Sequence, residues 1–145
     1  MLLVLDASVA VKWFLPPEDE TLTSEALGLL YLHDAGRIQF LVPDLFWAEF
    51  ANVAWMAIRR KRWSSSDAVR AVTKMLAYRF ATIAGRRLVQ AAFHIASTHG
   101  VAVYDALYVA LAQETPCDLI TADERLVNAL GSRFPVRWLG SFSIT

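Results

Sequence analysis

Only one cysteine, Cys117, stands among the 145 residues. No internal disulfide can form, so the core must come from apolar side chains alone. Charge of one sign is missing too. Fourteen Lys and Arg balance 14 Asp and Glu, for a formal net charge of zero. That excludes a strongly basic nucleic-acid module steered by its global field. Disorder needs low hydrophobicity and high net charge, and a chain with 56% hydrophobic residues has neither. No GxGxxG or P-loop pattern occurs, which argues against a nucleotide cofactor. A membrane span would need about 20 largely apolar residues. The longest candidate, Phe40 to Ile58, is broken by Asp44, Glu49 and Asn52. The N-terminus has no basic start and meets Asp6 after five residues, unlike a signal peptide. A cytoplasmic protein without a membrane segment is expected. The apolar excess also suggests a face buried against a second copy or a partner.

Short apolar runs alternate with helical stretches. Leu2 to Leu5 reads as a buried parallel strand ending in Asp6. Ser8 to Phe14 fits one or two helical turns, stopped by Pro16 and Pro17. A helix starting at Thr21 or Thr23 runs through Leu32 to a C-terminal Gly36. Ile38 to Val42 is the second strand. Asp44 stands at an N-cap position for a helix reaching about Arg60, and Ser64 to Ser66 cap another to about Tyr78. Phe80 to Ile83 is a weak strand, and a helix runs from Gly85 to about Gly100. Tyr104 to Gln113 is a short helix, followed by a strand at Leu119 to Thr121, a helix at Glu124 to Leu130 and a last strand at Val136 to Leu139. No tight hairpin joins two strands. The expected architecture is α/β, with a parallel sheet of four or five strands and helices on both faces. No linker or repeat appears, so one domain over residues 1–145 is expected.

Four acids stand in apolar surroundings: Asp6 after LLVL, Glu49 in DLFWAEFANVAWMAI, Asp105 in VAVYDALYVALA and Asp123 after LITA. Each has a structural alternative. Asp6, Asp105 and Asp123 could cap helices, and Thr121 to Glu124 fits a capping box. Glu49 resists that explanation. From Leu45 to Ile58 only Glu49 and Asn52 are polar, three apart on one face of what reads as a buried helix. A buried carboxylate needs a paired cation, for which Lys12 or an arginine could serve, or a metal. Ligands in open α/β sheets bind beyond the carboxyl ends of the strands, where Asp6 and Asp123 fall. If the four acids meet there, their repulsion raises their pKa values. A divalent cation such as Mg²⁺ or Mn²⁺ relieves it. Such a site suits phosphodiester hydrolysis by an activated water.

The segments LDASVAVKWFLPPE, PDLFWAEFANVAW, VYDALYVALA and LITADERL, in that order, resemble a PIN domain of the VapC toxin type. The resemblance covers nearly the whole chain. It implies a PIN-like fold and a metal-dependent endoribonuclease, the toxin of a toxin–antitoxin pair. It also implies a cognate antitoxin, homodimerisation and Mg²⁺ or Mn²⁺. The family's acidic site maps onto Asp6, Glu49, Asp105 and Asp123. Asp6 and Asp105 hold the metal directly, and Glu49 and Asp123 act directly or through water. Ser8 and Thr121 supply supporting hydroxyls, and Asn52 is expected to orient a carboxylate or the water. In-line attack on single-stranded RNA would leave a 5′-phosphate and a 3′-hydroxyl.

Arg59, Arg60, Lys61 and Arg62, followed by Trp63, form the one dense basic run. It reads either as a solvated helix end or as a contact to RNA phosphates. Lys12 is the better candidate for a single phosphate contact. Taking four of the 14 acids as neutralised by metal leaves ten against 14 cations, a balance of +4. RNA attraction should then be local and metal-dependent. His33, His94 and His99 have no metal-ligand spacing, and no base stands near Ser8 to make it a nucleophile. Two other classes remain open: a PIN-like binding module without turnover, and another Mg-dependent phosphohydrolase such as a DNA nuclease or phosphatase. A haloacid-dehalogenase-type enzyme would need an Asp where Ser8 stands.

Overall fold

The computed structural model describes residues 1–143. Five strands, β1 Leu2–Leu5, β2 Gln39–Pro43, β3 Ala81–Ile83, β4 Asp118–Thr121 and β5 Val136–Trp138, form one all-parallel sheet in the order β3-β2-β1-β4-β5. β1 lies at the centre, where both faces are covered, which is why its run is apolar without alternation. Val4 pairs with Leu41 on one side and Leu119 on the other.

Seven α-helices connect the strands among the described residues: α1 Ala7–Ala10, α2 Thr23–Asp34, α3 Leu45–Arg59, α4 Ser65–Ala77, α5 Gly85–His99, α6 Val103–Glu114 and α7 Glu124–Leu130. Parallel crossovers are right-handed. Connections stepping toward β3 therefore cover one face and those stepping toward β5 the other. β1 sends its connection one way and its neighbour β4 the other, so the topological switch point lies between their carboxyl ends. None of the helices is long and apolar enough alone to cross a membrane.

The expected buried helix is not α3. That helix buries one stripe, Phe46, Phe50, Ala54 and Ala57, and exposes Trp55. The buried helix is instead α6, in which every residue from Ala106 to Ala112 is buried and which packs against β1, β2 and β4. Its small residues, Ala106, Ala110 and Ala112, allow neighbours to approach it closely. Asp44 is also placed differently from expectation. Its backbone is helical and it does not cap α3; its Oδ1 accepts the Gly85 amide at 3.0 Å, stabilising the start of α5. A Cβ on Gly85 would come within 2.8 Å of that oxygen, so no larger residue fits without movement. Gly100 ends α5 in the left-handed region, φ 72°, where a glycine carries no steric penalty.

Candidate active site

Asp6 is the centre of the site. Its backbone N–H bonds to Ile120 O at 3.1 Å, extending the ladder one residue past β1 and fixing Asp6 beside Thr121. It stands at the head of α1, yet its carboxylate makes no cap hydrogen bond. Instead both neighbouring hydroxyls donate to one oxygen, Oδ2: Ser8 Oγ at 2.8 Å and Thr121 Oγ1 at 2.5 Å. The same hydroxyls accept N–H groups from the β4–α7 connection, Ser8 from Ala122 at 3.1 Å and Thr121 from Asp123 at 3.0 Å. Thr121 thus acts as a brace rather than as the first residue of a capping box. The other oxygen, Oδ1, takes no side-chain hydrogen bond from any described residue.

The other three acids gather around it. Asp123 is the N-cap of α7, its Oδ1 accepting Arg125 N–H at 2.9 Å and Leu126 N–H at 3.4 Å. The capping alternative holds for Asp123, and its charge still bears on Asp6 and Asp105. Asp105 is not an N-cap; it is the third residue of α6, whose N-cap is Ala102. Glu49 projects from the second turn of α3, and its Oε1 accepts the Tyr108 hydroxyl at 2.8 Å.

Burial is the main reason the carboxyls here titrate abnormally. It pushes Asp6 up, opposed by the Thr121 and Ser8 hydroxyls and reinforced by Asp123. It raises Glu49 to about 7, opposed by the Tyr108 hydroxyl, with Asp6 and Asp105 adding repulsion. It raises Asp105 to about 6, with Asp6 and Asp123 adding to the effect. Tyr108 is itself driven up by burial and by the Asp6 and Glu49 charges, so it stays a proton donor. Among the described residues no Lys, Arg or His pairs with any of the four acids. Nor do three acidic, histidine or cysteine side chains stand close enough to ligate one ion as they are placed.

Comparison with known proteins gives the family of the fold. The PIN domain family profile matches residues 3–130. The chain belongs to the PIN-domain family. Ribonuclease VapC3 of Pyrobaculum aerophilum is 31% identical over 129 residues, covering 87% of this chain and 92% of the relative. The PIN fold is shared with PAE2754 of the same organism (TM-score 0.69, 20% identity, 97% of this chain and 85% of that one). It is shared too with a toxin–antitoxin complex from Klebsiella pneumoniae (TM-score 0.62, 18% identity, 97% and 98%). VapC20 of Mycobacterium tuberculosis, a Sarcin-Ricin loop cleaving toxin, has a TM-score of 0.63 at 14% identity, covering 88% and 95%.

Within this PIN domain the remaining candidates are placed unequally. Asn52 lies near Glu49 on α3 but makes no hydrogen bond to it; it is exposed. Lys12 is no surface cation. It is 7% exposed and its Nζ is held by Glu20 at 2.7 Å, not by Glu49. Arg62 joins the same Glu20 at 3.1 Å and approaches Asp19 at 3.9 Å. Arg59 and Arg60 are exposed at the far end of α3, about 15 Å along the axis from Glu49 at 1.5 Å per residue. Lys61 follows them with φ 57°. Sequence reasoning missed Tyr108. The signal was present: Tyr108 is three residues after Asp105, hence on the same face of α6.

Proposed function

We propose that this PIN domain is a cytoplasmic, metal-dependent endoribonuclease that cuts single-stranded RNA as the toxin of a toxin–antitoxin pair. What supports this reading is the burial and repulsion that raise Asp6, Glu49 and Asp105, to which Asp123 adds, with no Lys, Arg or His among the described residues paired to any of the four. Inside a folded protein such charges need compensation from outside it.

The donor set suits Mg²⁺ or Mn²⁺, being all hard oxygen, and Asp6 Oδ1 is left without a side-chain partner. Mg²⁺ characteristically takes one or two carboxylates and completes its shell with waters. Asp6 and Asp105 would hold the ion, with Glu49 and Asp123 completing the site. When bound, the ion supplies a water of lowered pKa and stabilises charge on the leaving oxygen. Ser8 and Thr121 keep the Asp6 carboxylate in one orientation. Glu49, whose carboxyl is pushed up by burial in the metal-free protein and held by the Tyr108 hydroxyl, would accept the proton of the attacking water. In-line attack would then break the bond from phosphorus to the 3′ oxygen, leaving a 5′-phosphate and a 3′-hydroxyl. A cognate antitoxin and a second copy of the chain are the partners this reading requires. Toxin–antitoxin complexes are among the structures that share its fold.

Purified protein incubated with single-stranded RNA, DNA and a generic phosphate ester, with and without Mg²⁺ or Mn²⁺, tests the reading. RNA cleavage that requires the ion is expected. Cleavage of DNA or the ester alone reassigns the substrate, and no turnover on any of them rejects the enzyme.

A further inference from the structure

Beside the acids lies a groove of about 350 Å³ lined by Leu45, Ala48, Glu49, Asn52, Val53 and Tyr104. Leu45, Ala48, Glu49 and Asn52 follow i, i+3, i+4, i+7 spacing, so α3 presents them as one stripe. That stripe is distinct from the buried Phe46, Phe50, Ala54 and Ala57. Tyr104, in the first turn of α6 and next to Asp105, completes the lining. Its side chain is 66% exposed, leaving a ring open to contact. Glu49 belongs both to the acidic site and to the groove, so the two are continuous.

Three features decide what fits. The floor is apolar, which suits a flat ring and not a phosphate. An exposed aromatic ring offers a stacking surface for a base. Asn52 offers an amide with two donors and an acceptor, none engaged by a described residue, as reading a base edge requires. We propose that this groove seats the unpaired nucleobase next to the scissile phosphate, stacked on Tyr104 and read by Asn52. The groove is then the place where the enzyme selects its cutting site, and the inference rests on the ribonuclease reading above.

The test uses fluorescein-labelled single-stranded oligoribonucleotides that carry one mapped cut, with an abasic residue replacing the flanking base in a second set. Anisotropy is measured on Asp6→Asn protein, with and without Tyr104→Ala or Tyr104→Phe. Tyr104→Ala should weaken binding about tenfold, and Tyr104→Phe, which keeps the ring, should not. The abasic substitution should weaken binding to the parent and add nothing to Tyr104→Ala. With Asp6 restored, Tyr104→Ala should raise KM more than it lowers kcat, and Asn52→Ala should change which base is cut beside. If the parent cuts RNA and Tyr104→Ala changes neither KM nor cut site, the groove assignment fails alone. A Tyr104→Ala protein whose oligomeric state changes while RNA affinity does not overturns it in favour of a protein contact. If the parent neither cuts nor binds RNA, the ribonuclease reading fails and the groove with it.

Discussion

Two regions of this molecule bury charge, and they do so in opposite ways. Around Glu20 the protein supplies its own compensation: Lys12 and Arg62 reach the same carboxylate at 2.7 and 3.1 Å, and Lys12 and Glu20 are largely sequestered. Their surroundings form a cavity of about 430 Å³ that contains none of the four acids and is lined in part by Trp13, Trp63, Arg70 and Lys74. At the carboxyl end of the sheet the acids have hydroxyls and a phenol as neighbours, and among the described residues no cation pairs with them. The first region stabilises the fold by itself. On the function proposed above, the second would be compensated by a bound cation.

The largest effect that separates the two concerns Asp6. Asp6→Asn should lower RNA cleavage at least about a hundredfold yet leave the metal-free melting temperature equal or higher, because repulsion is relieved. A clear loss of metal-free stability would make Asp6 as structural as Glu20 and erase the contrast. Glu20→Ala should do the reverse. It strands Lys12 and costs about 3 kcal/mol, read as a lower denaturation midpoint, while folded protein keeps its cleavage rate. Unchanged stability would show the ion pair to be dispensable. Smaller is the effect of Tyr108→Phe, which leaves Glu49 without its donor. Apparent Mn²⁺ affinity measured by calorimetry should fall about tenfold; an unchanged affinity would remove Tyr108 from the site's support.

The smallest effect is on pH dependence. Glu49 and Asp105 titrate at about 7 and about 6 in the folded protein, above their ordinary values of 4.5 and 3.8. Between those limits the native state holds protons that the unfolded chain releases. Metal-free stability should therefore fall as pH rises from about 4 to 7. Melting in EDTA should shift down by roughly a few degrees across that range, and Asp105→Asn should flatten the curve. A melting temperature that rises across the window would contradict the repulsion.

Much of this could be read before the structure. β1 and β2 fall where apolar runs ended in Asp or Pro, because a parallel strand covered on both faces is largely apolar. Helix bounds followed from Gly100, Ser64 and the two prolines, whose local geometry is decided by their own backbone. Less legible was anything needing a partner distant in sequence. Lys12 looked like a free cation near Asp6 until Glu20 and Arg62 closed on it. Asp44 read as the cap of its own helix, and its carboxylate serves α5 instead. Glu49 called for a cation or a metal, and the described side chain that meets it is a phenol 59 residues away.

By itself, then, the sequence determined the element order, the parallel sheet and the identity of the four misplaced acids, because burial and backbone preference act on neighbouring residues. Only the tertiary structure decided that Ser8 and Thr121 clasp one oxygen of Asp6, that Tyr108 holds Glu49, and that Tyr104 and Asn52 wall an open groove beside them. Those relations depend on strand register and helix rotation, which arise when segments remote along the chain pack together.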